Sequence, residues 1–157
     1  MYVVYREQKN QVIDTLLKKH RNFKLMQPIH RHAVRQIIKA LKKNAAIWYA
    51  ADQDYGVGHS IFSPFFTIPT ATITTPSRYA KHTHAQVVTL FYHRLPQEKG
   101  YQIIINPILK DFDQLPPSEA ALYFNKLLEQ AIRAHPEQYL WIHRRFKTRP
   151  AGEKSFY

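Results

Sequence analysis

Residues 135–150 read HPEQYLWIHRRFKTRP. The centre is apolar and aromatic: Tyr139, Leu140, Trp141, Ile142 and Phe146. His143, Arg144, Arg145, Lys147 and Arg149 are threaded through it. Such a segment buries an aromatic face and holds cations at set positions. The planar arginine fork suits a phosphate or a carboxylate. The stretch therefore reads as the anion-handling end of a small α/β domain. Its counterpart is WYAADQDYG at 48–56, where an apolar run gives way to Asp52 and Asp54 and then to a glycine.

Immediately upstream lies the clearest helix of the chain. Pro116-Pro117 closes a linker, Ser118 stands as its N-cap, and the helix runs to about Ala134 before Pro136 stops it. Leu122, Leu127, Leu128, Ala131 and Ile132 form its expected buried stripe. Gln86–His93 and Tyr101–Asn106 read as a hairpin around the 95–100 turn. Thr70–Thr75 leads into a helix with Pro76 in its first turn, ending near His84. Pro64 and Pro69 forbid a long helix across the aromatic run 61–69. In the first third, Met1–Tyr5 reads as a strand and Ala45–Ala51 as a buried strand. Gln11–His20 and His32–Asn44 read as amphipathic helices with solvated basic faces. A strand–helix–strand crossover follows, and with it an α/β class with a mixed sheet and flanking helices.

The chain has 157 residues, enough for one domain with a real core. No cysteine is present, which excludes disulfides and thiolate metal sites. No run approaches the ~20 apolar residues of a membrane span. The formal net charge is +12. That imbalance calls for an anionic partner: a nucleic acid, an anionic membrane surface, or an acidic protein with a phosphorylated substrate.

WYAADQDYG and PEQYLWIHRRFKTRP resemble the two most recognisable blocks of the bacterial lipid A late acyltransferases. These are the lauroyl and myristoyl transferases that act on the Kdo-bearing lipid A precursor. The resemblance covers essentially the whole chain and matches the C-terminal part of such an enzyme. It implies the C-terminal portion of a glycerophosphate-acyltransferase-like fold. It also implies transfer of an acyl chain from acyl carrier protein to a hydroxyl of a phosphorylated glycolipid acceptor, at the cytoplasmic face of the inner membrane. No metal or organic cofactor is implied, because the donor thioester supplies the activation. The family's membrane anchor and its His-x4-Asp/Glu catalytic turn lie upstream of a strand ending in Tyr-Arg, and Tyr5-Arg6 matches that ending. Residues 1–157 are thus expected to be a single partial acyltransferase domain, peripheral at the membrane and inactive by itself.

No catalytic residue is assigned within the chain. His93 and Glu98 have the family's spacing but fall in the expected hairpin, where they read as surface residues. Arg6, at a strand end, is a candidate oxyanion or phosphate contact. Asp52 and Asp54 suit a divalent metal, acid/base work or an ion pair, and a salt bridge to Arg144 or Arg145 is the favoured reading. The resemblance implies that this loop, with Tyr55, shapes the active-site cleft. Related loops hold a phosphate-bearing acceptor through an arginine, which this one lacks. Arg144, Arg145, Lys147 and Arg149 complete the expected substrate-binding set. Two alternatives stand beside it. One is a basic nucleic-acid-binding domain that uses the interleaved aromatics for stacking. The other is a non-catalytic remnant that binds anionic lipid or carrier protein.

Overall fold

The computed structural model describes residues 1–7, 10–22 and 26–157, and these divide into two compact units, 1–50 and 51–157. The α/β class holds. The expected mixed sheet appears instead as one parallel three-stranded sheet in the first unit and two antiparallel hairpins in the second.

In the first unit β1 (Tyr2–Tyr5), α1 (Gln11–Asn22), β2 (Gln27–His30), α2 (Val34–Lys42) and β3 (Ile47–Trp48) alternate. Both β2 and β3 pair with β1 in parallel, giving the order β2-β1-β3. Strand β2 is unexpected because Pro28 sits inside it. It is an edge strand of this sheet, where a residue without an N–H is tolerated. The strand expected over Ala45–Ala51 shrinks to two residues. Asn10 caps α1, its Oδ1 accepting from the N–H groups of Val12 and Ile13. The apolar stripe of α1 is a correction: Val12, Ile13 and Leu16 are exposed. Helix α2 buries Ile37 and Ala40, Ile38 and Leu41 are half-buried, and Val34 at its start is exposed.

In the second unit a short 3-10 turn (Val57–His59) leads into β4 (Ser60–Phe65), which pairs with β5 (Ile68–Ile73). This hairpin was not legible in the sequence. Its two-residue turn, Phe66-Thr67, has φ +48° and +68°. That geometry normally calls for Asn or Gly. Pro64 and Pro69 face each other across the register. Helix α3 (Thr75–Thr83) carries Pro76 in its first turn, as expected. The second hairpin is β6 (Leu90–Arg94) with β7 (Tyr101–Ile105). Helix α4 (Pro117–Ala134) begins one residue earlier than the expected cap, and no side chain caps it. Its buried face is Ala120, Ala121, Asn125, Leu128 and Ile132. Leu128 and Ile132 pack with Phe65, and Phe91, Tyr139 and Phe146 close around them.

Candidate functional site

The β4–β5 hairpin is the floor on which the site is built. Thr70, Ala71 and Thr72 of β5 are fully buried. Asn125, in the middle of the apolar face of α4, donates through Nδ2 to the Pro64 carbonyl at 3.0 Å and to Thr72 Oγ1 at 2.9 Å. From the C-terminal block, Arg145 donates through one guanidinium nitrogen to the Ala71 carbonyl at 2.6 Å. Its other terminal nitrogen donates to Thr72 Oγ1 at 3.1 Å. The Thr72 hydroxyl in turn donates to the Thr70 carbonyl at 3.1 Å. One hydroxyl therefore joins strand, helix and C-terminal block, with its lone pairs and its proton all engaged.

Local backbone geometry explains why Arg145 points inward and Arg144 outward. A 3-10 turn over Trp141–His143 ends at Arg144, which takes the left-handed conformation with φ +51°. The chain reverses there. Arg144 stays exposed, its guanidinium 5.7 Å from the Tyr157 ring centroid, while Arg145 is only 1% exposed and lies over the Phe65 ring. Lys147 is exposed again. Arg149 donates to the Pro69 carbonyl at 2.7 Å, pairs with Glu153 and lies over Phe156.

The acidic loop meets this block at Asp54. Its carboxylate accepts from the Thr148 N–H and the Thr148 hydroxyl, both at 2.9 Å, and from the Gly56 N–H at 2.8 Å. The expected salt bridge is thereby corrected. Among the described residues neither Asp52 nor Asp54 pairs with Arg144 or Arg145. Asp54 is held by uncharged donors from a segment the arginines flank. The aspartates still act on Arg145 through space. Burial lowers the Arg145 pKa, and Tyr139, Asp54 and Asp52 work against that shift. Burial, reinforced by Asp52, pushes the Tyr139 hydroxyl up to about 12.

The loop 52–55 and the block 144–149 thus belong to one assembly. Tyr55 is half-buried beside Asp54 in sequence. Arg6 follows β1 in the first unit and is exposed. Thr148, Thr72 and Asn125 were missed. Only Asn125 had a sequence signal, a polar residue on the same helical stripe as Ala121, Leu128 and Ile132. Of the aromatics interleaved with the basic residues, Tyr139 is half-buried against Phe65. Trp141 remains exposed, its indole N–H donating to the Pro136 carbonyl.

His93 lies on β6 opposite Gln102, its ring stacked on His135 at 3.9 Å, and Glu98 sits in the turn beyond. No hydrogen bond joins His93 to Glu98 among the described residues. A different pair, His84 and Asp113, does meet at 3.3 Å, but the His84 side chain is largely in water. No group of three His, Asp or Glu side chains among the described residues converges as a metal site. No described helix is long and apolar enough to cross a membrane.

Comparison with known proteins agrees with the two blocks. The family model described as bacterial lipid A biosynthesis acyltransferase matches residues 1–148. A lipid A biosynthesis palmitoleoyltransferase of Escherichia coli (strain K12) is 40% identical over 159 residues, which cover 100% of this chain and 51% of that protein. The lauroyltransferase of the same organism is 40% identical over 160 residues, covering 98% of this chain and 51% of its own length. Its myristoyltransferase is 31% identical over 120 residues, covering 76% and 37%. The chain spans about half the length of the palmitoleoyl- and lauroyltransferase.

Proposed function

The chain belongs to the bacterial lipid A biosynthesis acyltransferases, and we propose that it forms the acceptor-handling portion of such an enzyme. In this reading the fold is the C-terminal portion of a glycerophosphate-acyltransferase-like architecture. The acceptor is a phosphorylated glycolipid precursor of lipid A, and the donor is a thioester on acyl carrier protein. An acceptor hydroxyl loses its proton to a general base and attacks the thioester carbonyl. The carbon–sulfur bond breaks, and the carrier thiol leaves with a proton. No metal or organic cofactor takes part.

The observation that carries the proposal is the double hydrogen bond from Asp54 to Thr148. It ties the acidic loop to the basic block and leaves Arg144 and Lys147 facing solvent between buried anchors. Arg145, Arg149 and Asp54 then serve as positioning residues. Arg144 and Lys147 are the cations that meet the acceptor phosphates, with Tyr55 as a further candidate in the same unit; Arg6 is a separate candidate anion contact of the first unit. The net charge of +12 supports an anionic acceptor, an acidic carrier protein and a peripheral position on the anionic cytoplasmic face of the inner membrane. His93 and Glu98 are not part of the proposal: no hydrogen bond joins them among the described residues, and the His93 ring is stacked on His135.

The test is binding of a bisphosphorylated lipid A precursor in detergent to the purified chain. Arg144→Gln with Lys147→Gln is expected to weaken it by about tenfold or more. Equal affinity of the double variant and the parent chain would remove the proposal. Steep, salt-sensitive affinity for oligonucleotides in place of the glycolipid would favour the nucleic-acid reading.

A further inference from the structure

The β6–β7 hairpin has two unlike faces. By alternation, Phe91 and His93 point one way, and Phe91 packs into the cluster around Phe65, Leu128 and Ile132. On that side the hairpin is fastened through β6 and its ends, while Gln102 and Ile104 of β7 stay exposed. Gln138 donates to the Arg94 carbonyl and accepts from its N–H, and Asn106 bonds both the hydroxyl and the carbonyl of Thr89. The other face carries Leu90, Tyr92, Tyr101, Ile103 and Ile105, paired across the two strands as Leu90–Ile105 and Tyr92–Ile103. These five side chains are 43–68% exposed. Tyr92 and Tyr101 meet edge to face with ring centroids 6.2 Å apart. A contiguous apolar face of this kind, unlike scattered single residues, marks a docking surface.

Charge selects the occupant. Arg94 ends the apolar row on the same face, opposite Tyr101, and Lys99 stands in the turn beside it. The only carboxylate between Gln86 and Lys110 is Glu98. Aliphatic side chains, two tyrosines and a cationic margin match the boundary between acyl chains and anionic headgroups. We infer that the outer face of the β6–β7 hairpin is a membrane-docking surface that seats on anionic phospholipid, with Ile103 and Ile105 entering the acyl boundary and Arg94 and Lys99 meeting the phosphates. This rests on the proposed reading only for its setting at a membrane.

The experiment is flotation of the purified chain with phosphatidylethanolamine–phosphatidylglycerol vesicles, with phosphatidylcholine vesicles as the neutral control. The chain should float with the anionic vesicles. Ile103→Ser with Ile105→Ser should lower the bound fraction by about tenfold, and Arg94→Gln with Lys99→Gln should remove its salt dependence. Tyr92→Ser with Tyr101→Ser is the second variant. Circular dichroism on each variant separates loss of docking from loss of fold. Anionic binding that all these variants retain would overturn the inference, as would no binding by the parent chain. So would a parent chain that is dimeric and that the isoleucine substitutions turn monomeric, since a second copy would then cover the face. These vesicles contain no phosphorylated glycolipid. Failure here therefore leaves the acceptor proposal standing, and failure of acceptor binding leaves this surface standing.

Discussion

Asp54 and Thr148 lie 94 positions apart in sequence and are joined by two hydrogen bonds of 2.9 Å, one from the Thr148 N–H and one from its hydroxyl. The aspartate that the sequence offered to an arginine is taken by a threonine. The contact fixes where the neighbouring cations project.

Asp54→Ala leaves the N–H groups of Thr148 and Gly56 unpaired in a largely buried position. It should cost about 2–3 kcal/mol, whereas Thr148→Val removes only the hydroxyl and should cost about 1 kcal/mol. Urea denaturation of the parent chain and both variants checks the ratio. An equal cost would mean that the backbone bond contributes little.

Arg145→Lys should be as damaging as a truncation. A lysine lacks the guanidinium fork that bonds the Ala71 carbonyl and Thr72 Oγ1 together, so at least one of these buried bonds is lost, with Thr72 still held by Asn125. A loss of about 2–4 kcal/mol is expected. Stability of Arg145→Lys within a few tenths of a kcal/mol of the parent would refute it.

Alkaline pH should weaken the second unit through Tyr139. Its pKa is pushed up to about 12 from an ordinary value of 10.0, mainly by burial. The folded state therefore holds the proton where the unfolded chain releases it. The contribution is complete below pH 10 and is lost between 10 and about 12. After discounting for partial solvent contact it amounts to about 1–2 kcal/mol. Tyr139→Phe isolates the effect: its stability relative to the parent should rise across that window, read by denaturant titration at each pH.

The turn of the first hairpin should accept glycine. Thr67 is β-branched at φ +68°, so Thr67→Gly should stabilise the chain by about 1 kcal/mol. Glu129→Ala, which strips the acceptor from the Phe66 N–H, should destabilise it by about 1–3 kcal/mol. Thermal melts of the two variants should move in opposite directions.

Local signals made much of the chain legible. The 3.6 period over 118–134, bounded by Pro117 and Pro136, marked α4, and Pro76 marked the first turn of α3. Strand-forming residue types on either side of a glycine-bearing turn marked β6 and β7. Where such signals failed, a distant partner had overruled them. Phe66 and Thr67 adopt the positive φ of a two-residue turn whose Phe66 N–H is held by the Glu129 carboxylate across 63 positions. Pro28 sits in a strand because that strand lies at a sheet edge. Asn125 occupies an apolar stripe because Thr72 and the Pro64 carbonyl need a donor there.

By itself, the sequence determined the α/β class, the order of most helices, and the two blocks by which the family is recognised. These depend on periodicity, proline placement and runs of residue types, all of which are local. Only the tertiary structure decided which cations are buried and which are free. Arg144 and Arg145 are neighbours of the same type, and nothing in their order ranks them. Their roles divide because a left-handed turn at Arg144 sends the next side chain inward. A buried guanidinium persists only where carbonyl and hydroxyl acceptors already wait for it.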